Sequence, residues 1–63
     1  MPIVSIKIAK GRSLEQKRNL VQSVTQAIST SIEVNPEKIW IQIEEFEPDN
    51  FATNGTLMAD RAK

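Results

Sequence analysis

Apolar and polar residues alternate at the start of the chain. Val4, Ile6 and Ile8 are apolar, with Ser5 and Lys7 between them. A period of two predicts a β-strand with one well-buried face. Lys10-Gly11-Arg12-Ser13 breaks the alternation, and Gly11 admits the backbone angles of a tight turn. From Leu14 to Ile32 the period changes: Leu20, Val21, Val24, Ala27, Ile28 and Ile32 recur by threes and fours, with no internal Gly or Pro. They form one stripe on a helix. Ser13 is placed as its N-cap, and Gln16 three residues on completes a capping-box pattern. Asn35-Pro36 closes the helical region. Alternation then returns over residues 39–46. Ile39, Ile41 and Ile43 share one face, and Trp40, Gln42, Glu44 and Phe46 share the other.

Strand, helix and strand in that order predict a β-α-β unit with parallel strands and a right-handed crossover. Glu47-Pro48-Asp49-Asn50 reads as a turn, and Asn54-Gly55 signals a tight hairpin; Met58 onward is a tail with no assigned element. The expected fold is α/β (α+β): one domain over residues 1–63, a single β-α-β unit with a C-terminal hairpin. Two strands and a helix do not make a finished protein. The helix covers one sheet face, leaving Ile3, Trp40 and Phe46 as an apolar patch of the kind that marks an interface. The chain has 63 residues and no cysteine, so it lacks the disulfide that small folds use as a staple. Oligomerisation is the expected substitute. It would complete the sheet in a symmetric dimer at least, with the hairpin lying on a neighbouring subunit.

Eight basic and eight acidic side chains cancel, so neither nucleic acid nor a membrane surface is an expected partner. No apolar run approaches the ~20 residues of a membrane span, and the start lacks the form of a signal peptide. These features, with the absence of cysteine, predict a cytoplasmic protein. No metal or other cofactor is expected. Without Cys or His only carboxylates are available as ligands, and Glu44, Glu45, Glu47 and Asp49 match no calcium loop. They read as a solvated acidic edge.

The candidate chemistry begins at Met1-Pro2. Removal of Met1 turns the Pro2 nitrogen from an amide into a secondary amine. A terminal amine titrates near neutrality, at about 7.7–8.0, and burial or a nearby cation lowers that value. Pro2 then becomes a general base at neutral pH in a chain without histidine. Arg12 is a second candidate. It can grip a carboxylate in bidentate fashion, and it precedes a helix whose exposed N–H groups add to the attraction. A solvated loop cation is the plain alternative.

Taken together, the chain resembles the 4-oxalocrotonate tautomerase family. The resemblance rests on Met-Pro at the start, a short strand, Gly11-Arg12-Ser13 with Glu15-Gln16-Lys17 opening the helix, a second strand, Phe51, and Gly55 in a late turn. It covers essentially the whole chain. It implies a β-α-β subunit assembled as a hexamer, a trimer of dimers, and catalysis by an N-terminal proline. It implies Pro2 as the base that moves a proton between an enol oxygen and a carbon of a 2-hydroxy-dienoate. It implies Arg12 as the carboxylate-binding arginine, and Phe51 as an aromatic that lines the pocket and depresses the proline pKa. The family's second arginine aligns with Trp40, a departure that weakens the case for efficient 4-oxalocrotonate turnover.

Trp40 reads either as an interface aromatic or as a pocket wall against an apolar substrate tail. Lys38 shares strand parity with Trp40 and is the candidate replacement for the missing charge; its plain reading is a solvated lysine at a strand start. The leading expectation is a homo-oligomeric, cofactor-free enol–keto tautomerase whose partner is a small unsaturated keto or enol acid. Two alternatives stand beside it. One is a hydratase or dehalogenase-like activity on unsaturated acids with Pro2 protonated; the other is a non-catalytic ligand-binding oligomer on the same fold.

Overall fold

The computed structural model describes residues 2–61. Met1 and the last two residues of the tail, 62 and 63, lie outside the described residues. Strand β1 (Ile3–Ala9) leads into helix α1 (Leu14–Ile32), then a 3-10 turn (Pro36–Lys38) and strand β2 (Trp40–Phe46). A second 3-10 turn (Pro48–Asn50), strands β3 (Ala52–Thr53) and β4 (Thr56–Leu57) and a one-turn helix α2 (Met58–Arg61) complete the order.

Strands β1 and β2 are parallel, with Ile3 opposite Trp40, Val4 opposite Ile41, Ile6 opposite Ile43 and Ala9 opposite Phe46. Val4, Ile6, Ile8, Ile39, Ile41 and Ile43 are half-buried, while Ile3, Ser5, Lys7, Trp40, Gln42 and Glu44 are exposed. The predicted division into two faces therefore holds through β1 and most of β2. Glu45 falls on the face of Ile41 and Ile43, and an ion pair to Lys17 of α1 at 3.1 Å ties the helix to that face.

Helix α1 has the predicted bounds. The Ser13 side chain accepts from the Gln16 amide at 3.1 Å, and the Gln16 side chain accepts from the Ser13 amide at 2.9 Å. These bonds satisfy two donors that a helix start would otherwise leave bare. At the other end, Glu33 in the left-handed region (φ 57, ψ 54) stops the helix, and the Ser29 hydroxyl donates to the Val34 carbonyl at 2.7 Å. Pro36 opens the following 3-10 turn, with the Asn35 side chain capping it through the Glu37 amide at 2.9 Å. The predicted second strand thus begins one residue late, at Trp40.

The hairpin forms as predicted. Asn54 (φ 53) and Gly55 (φ 77) both take positive φ, the requirement of a two-residue type I′ loop, and Thr53 pairs with Thr56. The tail is helical for one turn, α2, held by the Met58 amide on the Phe51 carbonyl at 2.8 Å and by Arg61 on the Thr53 carbonyl at 3.0 Å. One expectation needs correcting. Phe46 is not bare on the open face: the Phe51 ring stacks on it at 4.6 Å between centroids, leaving Phe46 half-buried.

The chain closes no core of its own. No described residue is fully buried, and Ile3 and Trp40 are 76% and 62% exposed. The radius of gyration is 14.9 Å, against about 10.6 Å for a compact domain of this length. The surface is 5100 Å², against about 4100 Å² for a monomeric protein of this mass.

Candidate active site

The parallel register divides the candidate residues between two ends of the sheet. Pro2 is half-buried just before β1, and its carbonyl accepts from the Trp40 amide at 3.0 Å. Trp40 and Ile3 stand side by side on the open face. Next to them the 3-10 turn presents Lys38. Val34, Asn35, Glu37, Lys38 and Trp40 line an open groove of about 720 Å³. Lys38 reaches this groove from the turn and not by strand parity, because it lies before β2 begins. Another groove of about 590 Å³ runs along α1 beside Pro36, lined by Val21, Gln22, Thr25, Gln26 and Ser29. It holds no titratable side chain, so the groove at Lys38 and Trp40 is the better candidate for chemistry.

Arg12 and Phe51 are at the opposite end. Arg12 follows β1, and its guanidinium lies a long 3.5 Å from the Ala9 carbonyl. Ala9 is opposite Phe46, and Phe46 carries the Phe51 ring. The lysines here are committed: Lys10 pairs with Glu47 at 3.0 Å and Lys17 with Glu45 at 3.1 Å. The hydrogen bond and charge of Glu47 push the Lys10 pKa above its ordinary value. Among the described residues Arg12 meets only the Ala9 carbonyl, and it is exposed beside the capped start of α1. A strand of this length spans about 20 Å at ~3.3 Å per residue. Within one copy, Pro2 with Lys38 and Trp40 is therefore far from Arg12 with Phe51.

Among the described residues no three carboxylates converge as a metal site would need. Glu45 and Glu47 of the acidic edge are instead ion-paired. The sequence reading missed the part played by Phe46, which seats Phe51, and the place of Glu37 in the groove. The Asn-Pro step signals the turn that carries Glu37. The Phe46–Phe51 stack leaves no mark in local pattern.

The model of a family described as "Tautomerase enzyme" matches residues 2–61. The chain belongs to the tautomerase family. A probable tautomerase of Halalkalibacterium halodurans is 46% identical over 61 residues, covering 97% of this chain and all of the relative. The 2-hydroxymuconate tautomerase of Bacillus subtilis is 43% identical over 60 residues, covering 95% of this chain and 97% of the relative. Among solved structures, the 4-oxalocrotonate tautomerase isozymes of Methylibium petroleiphilum provide one that superposes with a TM-score of 0.94 at 34% identity, covering 97% of this chain and 95% of that one. The tautomerase resemblance thus extends from sequence to backbone over nearly the whole chain. Among the described residues no helix is long and apolar enough to cross a membrane.

Proposed function

We propose that the protein is a tautomerase of unsaturated 2-hydroxy and 2-oxo acids, that the Pro2 amine carries the proton, and that each active site is assembled from two copies of the chain. With Met1 removed, the neutral Pro2 nitrogen takes the proton of the 2-hydroxyl. The electrons of that O–H bond form the C2 carbonyl, the carbon–carbon double bond shifts, and the protonated Pro2 returns the proton to carbon. No electron acceptor or second reactant is needed, and Pro2 ends as it began. Arg12 holds the substrate carboxylate through paired N–H···O bonds and stabilises negative charge developing on the substrate. Phe51 walls the acid-binding side, and its stack on Phe46 keeps it there.

The observation that carries this reading is the division of the candidates between the two ends of the sheet. A small ligand does not bridge the ~20 Å of β1, so in this reading the base of one copy works with the arginine of another. The open architecture supports the same assembly. The surface excess of about 1000 Å² is comparable to the ~800 Å² that each partner gives up in a standard interface. The exposed Ile3, Trp40 and Leu57 supply apolar contact. A dimer whose sheets run antiparallel would bring unlike ends together, and the hexamer implied by the family resemblance contains such dimers in this reading.

The test uses one inserted residue. An alanine placed between Met1 and Pro2 turns the proline nitrogen into an amide and moves the terminal amine one residue away. Ketonisation of 2-hydroxymuconate by this variant is expected to fall by about 10²-fold or more, the contribution typical of a positioned base. The comparison is with protein whose Pro2 N-terminus is verified by intact mass. Unchanged activity in the inserted variant would remove Pro2 from the mechanism.

A further inference from the structure

We propose that Phe46 is the positioning residue of the acid-binding end. Its ring sets where the Phe51 wall stands, and its backbone sets where the turn carrying Arg12 begins, so one residue fixes the spacing between them. This inference rests on the roles proposed above for Arg12 and Phe51, but not on Pro2 as the base.

Phe46 closes β2 and lies opposite Ala9, the last residue of β1. Its carbonyl accepts from the Lys10 amide at 2.9 Å, which carries the parallel ladder one residue into the turn. The turn from Lys10 to Ser13 is therefore pinned at both ends, by this bond and by the two hydrogen bonds between Ser13 and Gln16. Gly11 is the joint between the pins, at φ 127, in a region of backbone space that residues with a Cβ rarely enter. Arg12 stands between that joint and the cap.

The ring has the second task. After Phe46 the chain makes a single 3-10 turn, opened by Pro48 and closed by the Asn50 amide on the Glu47 carbonyl at 2.9 Å. Phe51 emerges with extended backbone, φ −136 and ψ 132. Its ring lies on Phe46 with 4.6 Å between centroids and 24° between planes. A phenyl group on an extended segment has several staggered rotamers open to it; the stack, a favourable aromatic geometry, selects one. Phe51 is still 46% exposed, so Phe46 backs the wall while leaving surface for a ligand. A leucine at position 46 would fill much of the same space and offer no ring face.

The test compares Phe46→Tyr, which keeps the ring face, with Phe46→Leu and Phe46→Met, which keep apolar bulk without it. Sedimentation verifies that each assembles as the parent does, and two apolar replacements are made so that failure of one to assemble leaves the other. Both are expected to lose about 10-fold in kcat/KM for 2-hydroxymuconate, partly through a raised KM, because a misplaced positioning group costs rate as well as binding. Phe46→Tyr should stay within about 2-fold of the parent, since it keeps the aromatic pair. A double-mutant cycle separates positioning from packing: in a Phe51→Ala background, with no ring left to hold, Phe46→Leu should cost less than about 2-fold more. Losses that multiply, an unchanged kcat/KM in the apolar variants, or a loss that Phe46→Tyr shares would overturn the inference. Calorimetric titration with adipate, which has no enol proton, reads the acid grip without catalysis. Its Kd should rise about 3-fold or more in Phe46→Leu, as lost ground-state binding, and an unchanged Kd would also overturn the inference. If the chain with alanine inserted before Pro2 is as active as the parent while this Kd still rises, the proline-base reading falls and the role of Phe46 stands.

Discussion

The Trp40 amide donates to the Pro2 carbonyl at 3.0 Å, extending the parallel ladder one residue beyond β1. The bond anchors the residue proposed as base through the backbone of Trp40. Replacement Trp40→Pro deletes this donor. It is sterically admissible, since Ile39 is already extended (φ −97, ψ 119) and a first strand position tolerates proline. We expect Trp40→Pro to lower kcat several-fold below Trp40→Ala, which lacks the indole but keeps the N–H. The stability difference is expected to be about 1 kcal/mol, the net worth of one hydrogen bond. Steady-state kinetics and urea unfolding of the two variants side by side make the check, and equal kcat values would show that the bond positions nothing.

The capping box sets where Arg12 stands. Ser13 and Gln16 exchange two hydrogen bonds at the start of α1, one residue after the arginine. Ser13→Ala is expected to cost about 1 kcal/mol. The measurement is urea unfolding at a fixed protein concentration, because the stability of an assembling chain depends on concentration. A loss below a few tenths would mean the cap is dispensable.

Lys10 and Glu47 provide a pH prediction with a definite sign. Glu47 raises the Lys10 pKa in the folded chain. The stabilisation from this pair is therefore complete below the unfolded lysine value of about 10.4, and is lost as pH climbs through the higher folded value. Both partners are solvent-accessible, so salt weakens the effect. Glu47→Gln should move the Lys10 pKa down toward the ordinary range in an NMR titration of its ammonium group, with the charge of Glu45 still acting in the raising direction. The activity profile near neutral pH should be the same in this variant as in the parent, since Lys10 stays charged there.

Gly55 takes φ 77 in the hairpin loop, and a Cβ there would meet nothing within 4 Å. The penalty of Gly55→Ala is thus one of backbone conformation only, about 1 kcal/mol. If the hairpin lies on a neighbouring copy, the variant should dissociate at a higher protein concentration than the parent by sedimentation. An unchanged association constant would place the hairpin outside the interface.

The parts legible in the sequence are those set by local chemistry. Strand β1 follows from the alternation of Val4, Ile6 and Ile8, helix α1 from Ser13, Gln16 and the apolar stripe, and the hairpin from Asn54-Gly55. The end of the helix at Ile32 was legible, but the cap that makes it was not, because a glutamate, Glu33, takes the left-handed angles that glycine usually marks. The Phe46–Phe51 stack and the Lys17–Glu45 pair escaped because each joins separate elements. The candidate residues were legible one by one from their chemistry and the family resemblance. Their division between the two ends of the sheet was not, because it depends on parallel register and on where Phe51 comes to rest.

The central claim is that Pro2 of one copy works with Arg12 of another. Two inactive variants test it: the chain with alanine inserted before Pro2, and Arg12→Ala. They are unfolded together in equal amounts and refolded so that copies mix. If base and arginine come from different copies, random mixing leaves about a quarter of the sites with both groups intact, and the mixture should recover about a quarter of the parent's activity per site. A mixture no more active than either variant alone would contradict the account and place both groups in a single chain.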